Sequence, residues 1–169
     1  IIVPLIGFEI LGNYALALQI YAVLMIFSNI IYRYALPHDA SSASTRKIKL
    51  IGLSYAVGVS ILGFTILPLV VPLVFEKFID VGPAIQIISL AVIPTTVSLF
   101  YTSQILGREK SSVILASRIL GSISIIVMLL ILAPLYGIIG AASAFMLSAL
   151  ITCVFLVCAE YYRTHNQRN

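Results

Sequence analysis

Charge is nearly missing from this sequence. Asp, Glu, Lys and Arg make up 9% of its 169 residues, against about 25% in a soluble globular domain, so a soluble fold with a solvated surface is excluded. Six residues are acidic, and all six fall in loops or at the ends of apolar runs. No carboxylate therefore lies inside a run, where a proton-coupled mechanism would want one. Histidine and cysteine are equally scarce. His38 and His165 lie in separate polar segments, and Cys153 and Cys158 are five apart on one helical stretch, so no metal-ligand spacing exists. No catalytic constellation is visible, so the chain is read as a non-enzyme, with no cofactor or metal implied. No basic segment followed by a small-residue cleavage site marks a signal peptide. The sequence also holds no internal repeat, and its loops leave no room for a soluble domain.

What is present is apolar, at 61% of residues. Five runs, at 14–36, 50–75, 83–106, 112–133 and 138–159, each hold about 20 residues or more, enough to cross a hydrocarbon core of about 30 Å as a helix. Backbone groups in lipid must be satisfied within the segment, which leaves the helix as the spanning form. The expectation is an all-α, polytopic transmembrane helix bundle with five spanning helices. A short lead-in covers 1–13 and a tail covers 160–169.

The net charge of +4 sits at the run boundaries, where it sets orientation; it does not point to nucleic acid. Arg46, Lys47 and Lys49, with Arg33 before them, fall between the first and second runs. Arg108 and Lys110, with Arg118 after them, fall between the third and fourth. Arg163 and Arg168 lie in the tail. The alternate gap holds Lys77 beside Glu76 and Asp80, and Glu9 lies near the start. The rule that Lys and Arg accumulate in cytoplasmic loops places the lead-in outside and the C-terminus inside. An odd number of spans with an external start, and a first residue that is not methionine, lead us to expect a fragment of a longer protein.

Local signals divide the runs. Pro68 and Pro72 should bend or end the second helix, Pro83 suits the first turn of the third, and Pro94 should kink it. Pro134-Leu135-Tyr136-Gly137 is short enough to demand an antiparallel hairpin. Small residues four apart, Gly52-Ala56-Ser60 and Gly140-Ala144-Ser148, suit close helix approach. The third helix carries Thr95, Ser98, Tyr101, Thr102 and Gln104 on one broad face. That stripe either hydrogen-bonds neighbouring helices or lines a cavity suited to sugars. Arg118 lies about 10 Å into the fourth helix at 1.5 Å per residue. It either snorkels to the headgroups or offers a guanidinium to a phosphate. Arg33 allows the same two readings nearer its helix end. Candidate substrate contacts are thus Arg118, Arg33, Thr95, Ser98, Tyr101 and Gln104.

Four stretches resemble the C-terminal half of polysaccharide flippases, whose superfamily also holds multidrug and toxin extrusion antiporters and lipid II flippases. Gly12-Asn13-Tyr14-Ala15-Leu16-Ala17 is similar to the family's Gly-x-Tyr-x-x-Ala start of the eighth helix, with Pro37 after that helix. Leu73-Val74-Phe75-Glu76-Lys77-Phe78 resembles the outer turn before the tenth. Leu106-Gly107-Arg108-Glu109-Lys110 resembles the Leu-Gly-Arg-x-Lys cytoplasmic turn. Pro134-Leu135-Tyr136-Gly137-Ile138-Ile139-Gly140-Ala141-Ala142 resembles the Pro-x-Tyr-Gly-x-x-Gly-Ala-Ala turn before the last helix. Ser122 and Ser124 depart from the family, which often has asparagines there.

The resemblance implies helices eight to twelve, most of one lobe of a two-lobe carrier in the cytoplasmic membrane. Its partners would be the bilayer, a polyprenyl-phosphate-linked glycan and a missing N-terminal helical lobe, and it would flip that glycan by alternating access. Two other readings stay open: a cation-coupled drug exporter of the same superfamily, and a non-transporting membrane subunit of glycan assembly. Orientation has a direct test in intact cells lacking Cys153 and Cys158. An impermeant thiol reagent should label a cysteine in the turn at 76–82 and spare one at Ser42; the reverse pattern would invert the topology.

Overall fold

A computed structural model describes residues 8–40, 46–74, 81–107 and 111–166. The expected turns at 41–45, 75–80 and 108–110, and the ends at 1–7 and 167–169, lie outside the described residues. Seven helices follow in order: α1 (Phe8–Leu24), α2 (Ile26–Ala40), α3 (Arg46–Thr65), α4 (Leu67–Val74), α5 (Gly82–Leu90), α6 (Val92–Gly107) and α7 (Ser111–Asn166). No strand occurs among the described residues. Among the described residues three helical stretches are long and apolar enough to cross a membrane: Lys47–Thr65, Gly82–Gly107 and Ser111–Tyr162; a fourth results if the bent pair Gly12–Leu24 and Ile26–Asp39 is one span.

The boundaries differ from the expected ones in instructive ways. Residues 8–13, read as lead-in, already belong to α1. At the other end of the first run the helix passes through Pro37 to Ala40. Pro37 withholds one N–H, from the Arg33 carbonyl, which a helix held at its end tolerates. The hold comes from His38, whose Nδ1 donates to the Tyr34 carbonyl at 2.9 Å, and from Asp39, which is paired with Lys49. The tail is likewise helical to Asn166.

An unexpected break falls at Met25, where α1 and α2 bend by 47°. No proline is near. Asn29 donates both its backbone N–H and its Nδ2 to the Met25 carbonyl, each at 3.0 Å. A side-chain donor competing for a ladder carbonyl is a recognised cause of helix bending. The expected breaks at Pro68 and Pro94 are present, whereas α4 continues past Pro72 to Val74. Pro68 cannot serve the Phe64 carbonyl, and the chain breaks at Ile66; Gln86 Nε2 supplies a long hydrogen bond to that carbonyl at 3.5 Å. Pro94 cannot serve Leu90, and the third span breaks at Ala91 between α5 and α6. Pro83 occupies the first turn of α5.

α7 reverses at Gly137, where φ is 57° and ψ is −129°. That region is open to glycine alone at little cost. The two arms then pack back to back: Ser148 Oγ donates to the Gly121 carbonyl at 3.0 Å. The antiparallel hairpin expected around Pro134–Gly137 is the one observed.

The central element is α5–α6, which packs on α1, α2, α3, α4 and α7. The outer helices approach it through small residues. On α3, Gly52 abuts Phe100 and Ile31, Gly63 abuts Ser89, and Ser60 Oγ donates to the Ser89 carbonyl at 2.9 Å. Ala56, Ala144 and Ser60 are fully buried. One end of the bundle is an alanine-rich core that joins Tyr14 and Ala17 to Ala84, Ile85, Ala133 and Ala141. The outside is as apolar as the inside: Leu115, Ile119, Ile123, Ile126 and Leu130 form an exposed stripe on α7.

Glycine substitutions separate close packing from free surface. A Cβ at Gly140 would collide with the Leu132 carbonyl, whereas one at Gly58 meets nothing within 4 Å. Gly140→Ala should cost about 2 kcal/mol or more in reversible unfolding in mixed detergent, and Gly137→Ala should also destabilise. Gly58→Ala should be neutral or gain up to about 1 kcal/mol.

Candidate functional site

The third span presents two faces. Its buried face, with Phe100, Thr96 and Ser103, meets α2 and α3. Thr95, Ser98, Leu99 and Thr102 turn toward a cavity of about 270 Å³, closed by both arms of α7 and by Tyr21 of α1. From α7 the first arm contributes Ser117, Arg118, Gly121 and Ser122. The second arm contributes Phe145, Ser148 and Thr152. The volume is just below the range of about 300 Å³ upward typical of pockets for drug-sized ligands. It suits one sugar ring or one phosphate group rather than a whole oligosaccharide.

The hydroxyls share a chemical bias. Ser98 donates to the Pro94 carbonyl at 2.8 Å, Thr102 to Ser98 at 2.7 Å, Ser117 to Ile114 at 2.7 Å and Thr152 to Ser148 at 2.9 Å. Each spends its single O–H on its own helix, which leaves oxygen lone pairs as acceptors. The wall therefore accepts hydrogen bonds, as a hydroxyl-rich ligand requires. Arg118 adds five N–H donors and a permanent positive charge. It is exposed yet lines the cavity, which puts it at the rim.

Tyr21 closes one wall. Its OH donates to Thr95 Oγ1 at 2.8 Å. Its ring meets Phe145 edge-on, with centroids 4.9 Å apart and planes at 79°.

The structure brings together three of the six residues singled out from sequence: Arg118, Thr95 and Ser98. Tyr101 and Gln104 are half-buried on α6, outside the cavity lining. Arg33 is exposed on α2, also away from the lining. The polar stripe is split between lining and packing: Thr95 lines the cavity and also bonds across helices. Sequence reasoning missed Tyr21, Ser117 and Thr152. Tyr21 is 74 residues from Thr95, and no spacing rule links them. Ser148, one of the small residues four apart, both packs on the facing arm and lines the cavity. Ser122 is a lining residue as well.

A second polar cluster lies where α2 ends, α3 begins and α6 ends. Asp39 Oδ2 accepts from Lys49 Nζ and, at 2.6 Å, from Ser103 Oγ. The Lys49 and Asp39 side chains are only 10% and 9% exposed. The polar stretch 38–49 reads as a flexible loop in the sequence, whereas the structure puts Asp39 in the last turn of α2 and buries it with Lys49 in the first turn of α3. Among the described residues no group of three or more His, Cys, Asp or Glu could hold a metal ion.

Compared with protein-family models, curated proteins and solved structures, the chain matches none. The strength of the Tyr21–Thr95 contact can be measured by a double-mutant cycle of Tyr21→Phe and Thr95→Val in detergent unfolding. The coupling should be about 0.6 kcal/mol, the mean for hydrogen bonds between membrane helices. Tyr21→Ala should cost more, because it also removes the Phe145 contact.

Proposed function

We propose that this chain forms most of one lobe of a two-lobe membrane carrier that flips a polyprenyl-phosphate-linked glycan across the cytoplasmic membrane. In this reading α7 contributes two spans, one on each side of Gly137, and the bundle crosses the bilayer five times with its C-terminus in the cytoplasm. The exposed apolar stripe of α7 and the surface around Leu69 and Leu73 would face lipid tails. A second helical lobe would complete the carrier, and rocking between lobes would alternate access to the site between them.

The observation that carries the reading is the cavity between α6 and α7. Its acceptor-rich wall of hydroxyls suits sugar O–H groups, and the Arg118 guanidinium at its rim suits a phosphate through paired hydrogen bonds. A cavity of about 270 Å³ takes the head of such a substrate and leaves its lipid tail in the bilayer. The four motif resemblances given above point the same way.

Arg118 supplies the test. In the complete transporter, Arg118→Ala should lower glycan export about tenfold, the loss of about 1.4 kcal/mol of charge-assisted contact, at unchanged membrane abundance. Arg118→Lys should retain part of the activity, because lysine keeps the charge and loses the planar fork. Normal export by both variants at normal abundance would remove phosphate binding from this residue and leave it a snorkelling anchor.

A further inference from the structure

The two interrupted spans lie break against break. Met25, where α1 bends into α2, packs with Val92, at the start of α6, and with Ala56 in one buried cluster. Thr96 Oγ1 donates to Ser28 Oγ at 3.0 Å and lies 3.9 Å from Met25 Sδ. Each break has its own cause: the Asn29 amide on the Met25 carbonyl, and the missing N–H of Pro94. Helix interruptions are where backbone angles change at least cost.

On one side of these breaks, α2 and α6 are fastened together twice. Ser28–Thr96 joins them beside the breaks, and Ser103–Asp39 joins them at the far end, where Lys49 brings in the start of α3. A buried ion pair fixes geometry more than it adds stability. On the other side, α1 and α5 belong to the alanine-rich core with α4 and the hairpin end of α7. The Tyr21–Thr95 hydrogen bond crosses from α1 to α6, and both residues lie on the cavity wall. The cavity has α6 on one side and α7 on the other, so any swing of α6 changes its width.

We propose that α2, α6 and the start of α3, clamped by Asp39, Lys49 and Ser103, swing as one block about the paired breaks at Met25 and Ala91, where Ala56 of α3 also packs, opening and closing the hydroxyl-lined cavity, with the Tyr21–Thr95 hydrogen bond as the catch. A ligand hydroxyl that competes for Thr95 or Tyr21 releases the catch, which couples occupancy of the cavity to its opening. The device concerns the cavity itself and holds for any occupant.

The test uses the whole chain in lipid nanodiscs with native cysteines replaced and pairs of spin labels read by pulsed dipolar spectroscopy. Labels at Arg33 and Ala116, both exposed, report α2 against α7. Labels at Arg33 and Lys47 report distances inside the block. The Arg33–Ala116 pair should show two distances, and Tyr21→Phe should shift their ratio about threefold, matching a hydrogen bond of about 0.6 kcal/mol. Asn29→Leu with Pro94→Ala, which removes both causes of interruption, should collapse the pair to one distance. The Arg33–Lys47 distance should stay narrow in all of these and broaden in Asp39→Asn. If Asp39→Asn fails to fold, the exchanged pair Asp39→Lys with Lys49→Asp should restore folding and the narrow distance. A single Arg33–Ala116 distance, unmoved by Tyr21→Phe and by the straightened variant in monodisperse protein, would overturn the proposal. So would movement of that pair accompanied by equal broadening inside the block.

Discussion

A peptide group in an apolar surround has no water to turn to, and the rest of this structure follows from that constraint. Helix is the only described regular structure, and at two of its interruptions a side chain is at hand. Gln86 reaches the Phe64 carbonyl that Pro68 cannot serve. Asn29 adds a second donor at Met25. Ser60 and Ser148 carry hydroxyls onto carbonyls of neighbouring helices. These last two bonds need backbones to approach closely, which the small residues around them allow. Contact between helices of this kind rests on packing and hydrogen bonds, because lipid tails are as apolar as the side chains they would replace.

The same constraint prepares the cavity. A serine or threonine hydroxyl inside an apolar helix turns back to its own carbonyls. Four of the lining hydroxyls do so, and their oxygens are left to accept. The wall gains polarity without leaving buried donors unmet, whose cost would be about 1–3 kcal/mol each. Arg118 is the complement: all donors, no acceptor, and placed where it reaches both the cavity and the polar edge of the bundle. Arg118 shares α7 with Ser117 and Thr152, and α6 supplies Ser98 and Thr102 from the facing wall.

Proline and asparagine give the central helices their joints, and Asp39, Lys49 and Ser103 give them a rigid foot. Two charges at about a tenth exposure are tolerable because each meets the other and Ser103 meets the carboxylate. Replacing such a cluster by apolar packing is often no less stable, so its use here fits a demand for fixed geometry among three helices. Alanine-rich packing at the opposite end makes a different kind of joint, tight but without directional bonds.

The helical class, the break at Pro94, the hairpin at Gly137 and the small-residue contacts of α3 and α7 were legible in the sequence, because each depends on residues close together in the chain. Proline lacks an N–H wherever it stands, and a glycine row is small on any helix. The break at Met25 was less legible: Asn29 stood in an apolar run, and only its rotamer shows that it reaches back to a carbonyl. Helix is described from Phe8, through Ala40 and through Asn166, beyond the hydropathy limits, because backbone hydrogen bonding does not depend on how apolar the side chains are. The site divided the same way. Arg118, Thr95 and Ser98 stood out as polar groups in apolar runs, which the sequence alone reveals. Tyr21, Thr152 and the burial of Asp39 with Lys49 depended on which helices pack together, and that choice is made by shape complementarity between segments far apart in the chain, which no local pattern encodes.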